Sequence, residues 1–237
     1  ITPISVVGIY LILNKILRTN LEKFIILVAL LNPFIIDQFR DLNTEMPAMF
    51  FLLSGMYSKK FNNAYFLISI LIRPSYLVFI IIYILLDSSK NERIKKLFNL
   101  LITILTTHAF FKLIFNINFF GFYSLTGSTN SNFSLLFENL LDIEISNINL
   151  IISEIGRLFL AFSHPVNFYI GILILLGLLF VNNTYGYMSI GFVLFHILWV
   201  HYDYVRLFLP VTILVALSII DKLRTYKYPK IFNKLIA

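Results

Sequence analysis

Unbroken apolar runs constrain this chain more than any other feature: residues 24–31 and 170–181 contain nothing but aliphatic and aromatic side chains, with alanine and glycine. In water such a run has to be covered on every side, whereas a bilayer dissolves it directly. The whole chain follows suit, with 59% hydrophobic and 13% charged among its 237 residues, where an ordinary soluble domain is about half apolar and about a quarter charged. Collagenous, disordered and nucleic-acid-binding classes are excluded. The fold expected is all-α, a polytopic transmembrane helical bundle.

Zero cysteines excludes disulfides, thiolate metal sites and cysteine nucleophiles, but says nothing of compartment. Residue 1 is Ile and opens directly into an apolar run, with no basic region before it and no small-residue cleavage site after it. Residues 1–237 therefore read as a single membrane-embedded module whose N-terminus is expected to be missing.

The net charge of +7 is read by position rather than as attraction to an anionic polymer. Apolar blocks fall at 1–17, 21–36, 46–57, 64–86, 97–115, 148–162, 166–181, 184–200 and 204–220. One set of gaps holds Lys15, Arg18 and Lys23, then Lys59 and Lys60, then Lys90, Arg93, Lys95 and Lys96, then the tail from Lys222 to Lys234. These carry fourteen basic residues against four acids, a net of +10, and the rest of the chain carries −3. By the positive-inside rule the basic gaps and the C-terminus face the cytoplasm and the acids face out.

Two blocks break simple alternation. Block 64–86 has basic residues on both flanks, yet is too short for two crossings of about 20 residues each. Arg73-Pro74-Ser75 lies at its middle, and proline both removes a donor and disfavours helix for the residue before it. Two short helices meeting at Arg73-Pro74 are expected, with Arg73 in a protein-lined cavity; the plainer reading is a kinked span with Arg73 snorkelling. Block 148–162 has both ends outside, and Ile151, Ile155, Leu158 and Phe162 share one helical face, so it reads as an amphipathic helix in the outer interface. About nine or ten crossings are expected, counting the short pair as two. The longest polar connection, from about Thr126 to Asn147, lies outside and contains the sequon at Asn132.

Two clusters carry candidate chemistry. The stretch from Asp37 to Glu45 holds three carboxylates and Arg40 at the membrane boundary, where Asp41 and Glu45 could take a proton, hold a metal or engage a sugar hydroxyl; a solvated loop is the plainer reading. Thr44 is placed to cap the following helix and Pro47 suits its first turn. The stretch from Trp199 to Arg206 puts Arg206 at the head of a membrane helix within reach of Tyr204, a phosphate-holding arrangement. His201 and Asp203 are weak metal candidates, two ligands being short of a site, and interfacial placement accounts for the aromatics. His108, His196, Lys112 and His164-Pro165 read as packing or turn residues.

These stretches resemble a family, the lipid-linked-sugar glycosyltransferases of the GT-C type, which includes protein O-mannosyltransferases and aminoarabinose transferases. Asn32-Pro33 followed by Thr44-Glu45-Met46-Pro47 is similar to the family's third and fourth helices and their outer loop. Ile70-Leu71-Ile72-Arg73-Pro74 looks like its short paired helices, and Arg206-Leu207-Phe208-Leu209-Pro210 is similar to a late Arg-Tyr-x-x-Pro pattern, departing at Leu207. Weaker echoes are Phe120 to Ser124 and the run from Arg157 through Pro165. The resemblance implies transfer of a sugar from a polyprenyl-phosphate carrier to a protein, lipid or glycan acceptor outside the cytoplasm. It implies that Glu45, with Asp41 second, assists the acceptor or a divalent cation, and that Arg206, Arg73 and Tyr204 contact the carrier phosphate. The family's principal catalytic acid lies upstream of anything in this sequence. A polytopic transporter or lipid flippase is the runner-up, since a broken helix with an intramembrane arginine suits it equally, and a non-catalytic membrane subunit is third.

Overall fold

The computed structural model describes residues 2–31, 44–58, 61–116, 182–198 and 204–225. Among them the chain is all-helical: α1 (Thr2–Asn14), α2 (Asn20–Leu30), α3 (Glu45–Tyr57), α4 (Asn62–Ile72), α5 (Tyr76–Asp87), α6 (Lys90–Phe115), α7 (Thr184–Leu198) and α8 (Tyr204–Thr225). The interfacial helix expected at 148–162 and the loop around Asn132 lie outside the described residues.

Helix α3 is the hub. Its sequence is apolar all round after Glu45, the pattern of a helix with no solvent-facing side, and Met46, Ala48, Met49, Leu52 and Leu53 are fully buried. It packs against α1, α4, α5 and α8, while α7 bridges α5 and α8. Close approach of α3 to α4 depends on Gly55, where a methyl group would stand 2.5 Å from ring carbons of Phe66. Phe79 of α5 stacks on Phe192 of α7 with ring centres 4.0 Å apart, and Tyr76 meets both rings edge-on.

The expected break at Arg73-Pro74 is present. Arg73 ends α4 in an extended conformation (φ −146°, ψ 96°), as a residue before proline must, while its N–H still bonds to the Ser69 carbonyl at 2.9 Å. The turn then restarts as α5 through bonds from Tyr76, Leu77 and Val78 to carbonyls three residues back, so the interruption leaves these backbone groups paired. Apolar block 97–115 belongs to a longer helix than the hydropathy suggested. α6 begins at Lys90, because charged residues favour helix as well as apolar ones do, and ends on Asn116 in the left-handed conformation (φ 52°). Asn91–Ile114 within α6 is the one stretch, among the described residues, long and apolar enough to cross a membrane, and it is largely uncovered by protein.

Side-chain contacts sort the helix ends into two groups. At one end the start of α2 meets the end of α8, the end of α3 meets the start of α7 through the Tyr57 and Tyr185 hydroxyls (2.8 Å), and Tyr83 of α5 donates to the Met56 carbonyl of α3. Asn183, just before α7, donates to the Ser218 carbonyl of α8. This end carries Lys15, Arg18, Lys23, Lys90, Arg93, Lys95, Lys96, Lys222 and Arg224, so the basic clusters separated along the chain do converge on one end of the bundle.

That end is fastened by a buried ion pair. Thr19 caps α2: its Oγ1 accepts from the Glu22 N–H, and the Glu22 carboxylate accepts from the N–H of Arg18, the residue before the cap, at 2.6 Å. Arg224 then grips both Glu22 oxygens (2.9 and 2.7 Å) and donates to the Ile16 carbonyl, joining residues 202 positions apart. Glu22 is fully buried, so removing the Arg224 cation leaves a buried charge without its countercharge. Arg224→Ala should lower stability by about 3–5 kcal/mol in thermal melts of detergent-solubilised protein, and Arg224→Lys should recover little of it because lysine cannot form the two-pronged contact. Equal melting of Arg224→Ala and wild type would show that the pair is dispensable.

Candidate functional site

At the opposite end from the basic clusters, α3 begins and the α4–α5 pair turns. Both features come from proline chemistry. Pro47 sits in the first turn of α3, where a missing N–H costs no helical bond, and Pro74 forces the turn that follows Arg73. Glu45 is the first residue of α3 rather than part of a solvated loop, and it is 1% exposed. Thr44 occupies the N-cap position but its side chain makes no capping hydrogen bond, since its backbone is already helical (φ −90°, ψ −13°) and so turns away from the first-turn amides. The expectation that Thr44 caps the helix through its side chain is corrected accordingly.

Glu45 and Arg73, singled out separately in the sequence, are joined here. Arg73 Nε stands 2.8 Å from Glu45 Oε1, with the arginine side chain 27% exposed and the glutamate buried. The pairing corrects the reading of Arg73 as a residue that snorkels away from the bundle. An arginine beside a buried carboxylate needs fixed geometry, and two hydrogen bonds and a ring contact supply it. Ser69, one turn before Arg73, donates to the Ala48 carbonyl at 2.8 Å and so holds α4 to α3. Tyr76, three residues after Arg73, donates to the Glu45 carbonyl at 2.9 Å and holds α5 to the head of α3. The Phe79 and Phe192 rings wall the Tyr76 ring in place. The site is thus a charge pair mounted on three helix termini that cannot move independently.

Of the other residues marked in the sequence, Tyr204 and Arg206 lie in the first turns of α8. The start of α8 points to the same end of the bundle as the start of α3, since Arg224 at the far end of α8 lies at the basic end. Asp41, His201 and Asp203 lie outside the described residues, as do Asp37 and Arg40. Among the described residues no group of three His, Asp or Glu side chains is arranged to hold a metal ion. His108 and Lys112 sit in the second half of α6.

Two supporting residues, Ser69 and Tyr76, were not marked in the sequence. A serine four residues before an Arg-Pro turn and a tyrosine two residues after it do carry a signal, because a polar side chain within an apolar block has to find a partner. Which carbonyl each would reach depended on α3, a separate element.

Comparison with protein-family models, with curated proteins and with solved structures finds no match to this chain.

Glu45 and Arg73 form one unit, so their substitutions should be strongly non-additive. Arg73→Ala strands a buried carboxylate and should cost about 3 kcal/mol in a detergent melt, whereas Arg73→Ala combined with Glu45→Gln should cost less than the two single changes together. Strict additivity would mean that the two side chains do not interact in solution.

Proposed function

We propose that this chain is an integral membrane glycosyltransferase of the GT-C type that moves a sugar from a polyprenyl-phosphate carrier to a protein, lipid or glycan acceptor on the extracytoplasmic side. One observation carries the reading: an acid and an arginine, 28 positions apart, meet at 2.8 Å where a broken helix pair turns back. Lengths support a recessed site. α3, α4 and α5 have 13, 11 and 12 residues, so at 1.5 Å per residue they rise roughly 16–20 Å, short of the 30 Å or so of a hydrocarbon core. With the basic end at the cytoplasmic surface, the Glu45–Arg73 pair then lies below the outer surface, in the depth range where a lipid carrier presents its phosphate. Uncovered side chains on three helices, among them Ile4, Phe24, Ile94 and Leu113, suit a lipid environment for the bundle.

The chemistry asks two things of the pair. Cleaving a sugar from its phosphate carrier leaves negative charge on the phosphate, and a preorganised guanidinium stabilises that charge best where water is scarce. The acceptor hydroxyl must lose a proton as it attacks the anomeric carbon, and a carboxylate within hydrogen-bond reach can take it. Arg73 cannot hold both the carboxylate and a phosphate in full. As the carrier phosphate draws the guanidinium toward itself, Glu45 loses its countercharge and becomes the proton acceptor. Arg206 and Tyr204, at the head of α8, are the further contacts proposed for the carrier phosphate, and Asp41 the second acid; a divalent cation, if one takes part, adds charge stabilisation to the same phosphate.

Transport of a lipid or solute is the second reading, and the broken helix with a paired charge at its turn favours it specifically. The two differ in what turnover requires. Sugar transfer from a polyprenyl-phosphate-linked donor by the full-length protein should fall by at least about a hundredfold in Glu45→Gln, the loss expected of a missing general base, with donor binding retained. In Arg73→Lys donor affinity should weaken as well, because lysine offers one point charge for a two-pronged contact. Donor movement across vesicles without sugar transfer would favour the transporter. For orientation, a cysteine placed at Ser89 should resist an impermeant thiol reagent added to intact cells and one placed at Ser131 should react; the reverse pattern would invert the bundle.

A further inference from the structure

At the basic end, where α3 gives way to α4 and where α4 and α5 pack against α6, the bundle holds a recess of about 280 Å³. Its walls divide by chemistry. Met56, Phe66 and Ile84 form an apolar side, and Asn62, Asn63 and Lys96 form a polar one. We propose that this recess binds the phosphodiester headgroup of an anionic phospholipid, with the first carbons of its glycerol and acyl chains against the apolar side. The inference rests on the membrane reading above and is independent of the transferase reading.

Four features converge on that ligand. The cation is aimed and not fully committed: Lys96 donates to Ser88 Oγ at 2.9 Å and stands 3.9 Å from Glu92, a distance beyond a hydrogen bond, so an ammonium with three donors retains capacity for an anion. The carbonyl oxygen of Asn62 accepts from the Asn63 N–H at 2.8 Å, which leaves the side-chain amide of Asn62 as a donor group at the same rim. The polar side coincides with the start of α4, an 11-residue helix whose N-cap residue, Phe61, brings no side-chain hydrogen bond, so the positive end of the helix dipole adds to the lysine charge. Finally, the recess is the right shape for an amphiphile rather than a free ion. A wholly apolar lining would suit an acyl chain alone and a wholly polar one a soluble anion, but here Met56, Phe66 and Ile84 share the recess with Lys96 and the two asparagines.

Nearby charges set the sign of the test. Lys95 and Arg93 reinforce the local positive potential, though Arg93 is partly occupied by a 2.7 Å bond to the Ser88 carbonyl, and the carboxylates that oppose an anion are Glu92 and Asp87. The full chain is reconstituted in phosphatidylcholine nanodiscs doped with phosphatidylglycerol, and the lipid retained after gentle detergent extraction is quantified by mass spectrometry. Phosphatidylglycerol should be enriched over phosphatidylcholine. Lys96→Gln should reduce that enrichment about fivefold, one lysine near a membrane surface contributing on the order of 1 kcal/mol. Glu92→Gln should raise it, a gain that misfolding cannot produce, and Lys112→Gln, at the other end of α6, should leave it unchanged. Equal enrichment in wild type and Lys96→Gln overturns the site, as does an equal loss in Lys112→Gln. Displacement of the retained lipid by millimolar inorganic phosphate would reassign the recess to a free anion and overturn the lipid. Flotation with the same lipids separates the two levels: a chain that floats without preference refutes the recess alone, and one that fails to float refutes the membrane reading with it.

Discussion

Pro74 makes the rest of this bundle possible. Without it, residues 62–87 have every reason to continue as one apolar helix, and Arg73 would project from its middle with nothing opposite. Because proline excludes helix from the residue before it, Arg73 is forced extended, the chain doubles back, and the guanidinium arrives at the head of α3 beside Glu45. The break itself adds little exposed polarity, since the bonds from Tyr76, Leu77 and Val78 to the turn carbonyls close it. The cost of placing a charge in an apolar environment is met by the carboxylate, and the carboxylate in turn by the arginine, a mutual dependence that neither residue satisfies alone.

The molecule uses this device twice, with different surroundings. At one end the Glu22 carboxylate accepts from the Arg18 N–H and from two guanidinium nitrogens of Arg224, which also donates to the Ile16 carbonyl, so the pair serves as a clasp between α2 and α8. At the other end Arg73 Nε stands 2.8 Å from Glu45 Oε1, and the arginine side chain is partly exposed while the glutamate is buried. Between them runs α3, with Glu45 at its buried head and Tyr57 at the basic end.

A good part of this architecture was legible in the sequence. The interruption at Arg73-Pro74, the helical start after Thr44 and the sorting of basic residues to one end follow from local rules: proline geometry, first-turn preferences and charge segregation. The Thr19-x-x-Glu22 pattern that starts α2 is a local signal too, one that the sequence reading passed over. Where the reading faltered, the cause was local as well. Thr44 sits where a cap belongs, but its backbone conformation denies the side chain the geometry, and the charged first turns of α6 hid a helix that hydropathy began seven residues too late.

The pairings are another matter. Sequence by itself determined that this chain is helical, that it is far more apolar than an ordinary soluble domain, that one helix must break, and which polar residues would need partners. It did not determine the partners, because ion pairs such as Glu45 with Arg73 and Glu22 with Arg224, and bonds such as Tyr76 to the Glu45 carbonyl, join elements 28, 202 and 31 positions apart. No periodicity encodes such contacts. They are selected when helices pack, since every polar group carried into the interior has to be matched there, and only the tertiary arrangement decides which of the available groups stands within reach.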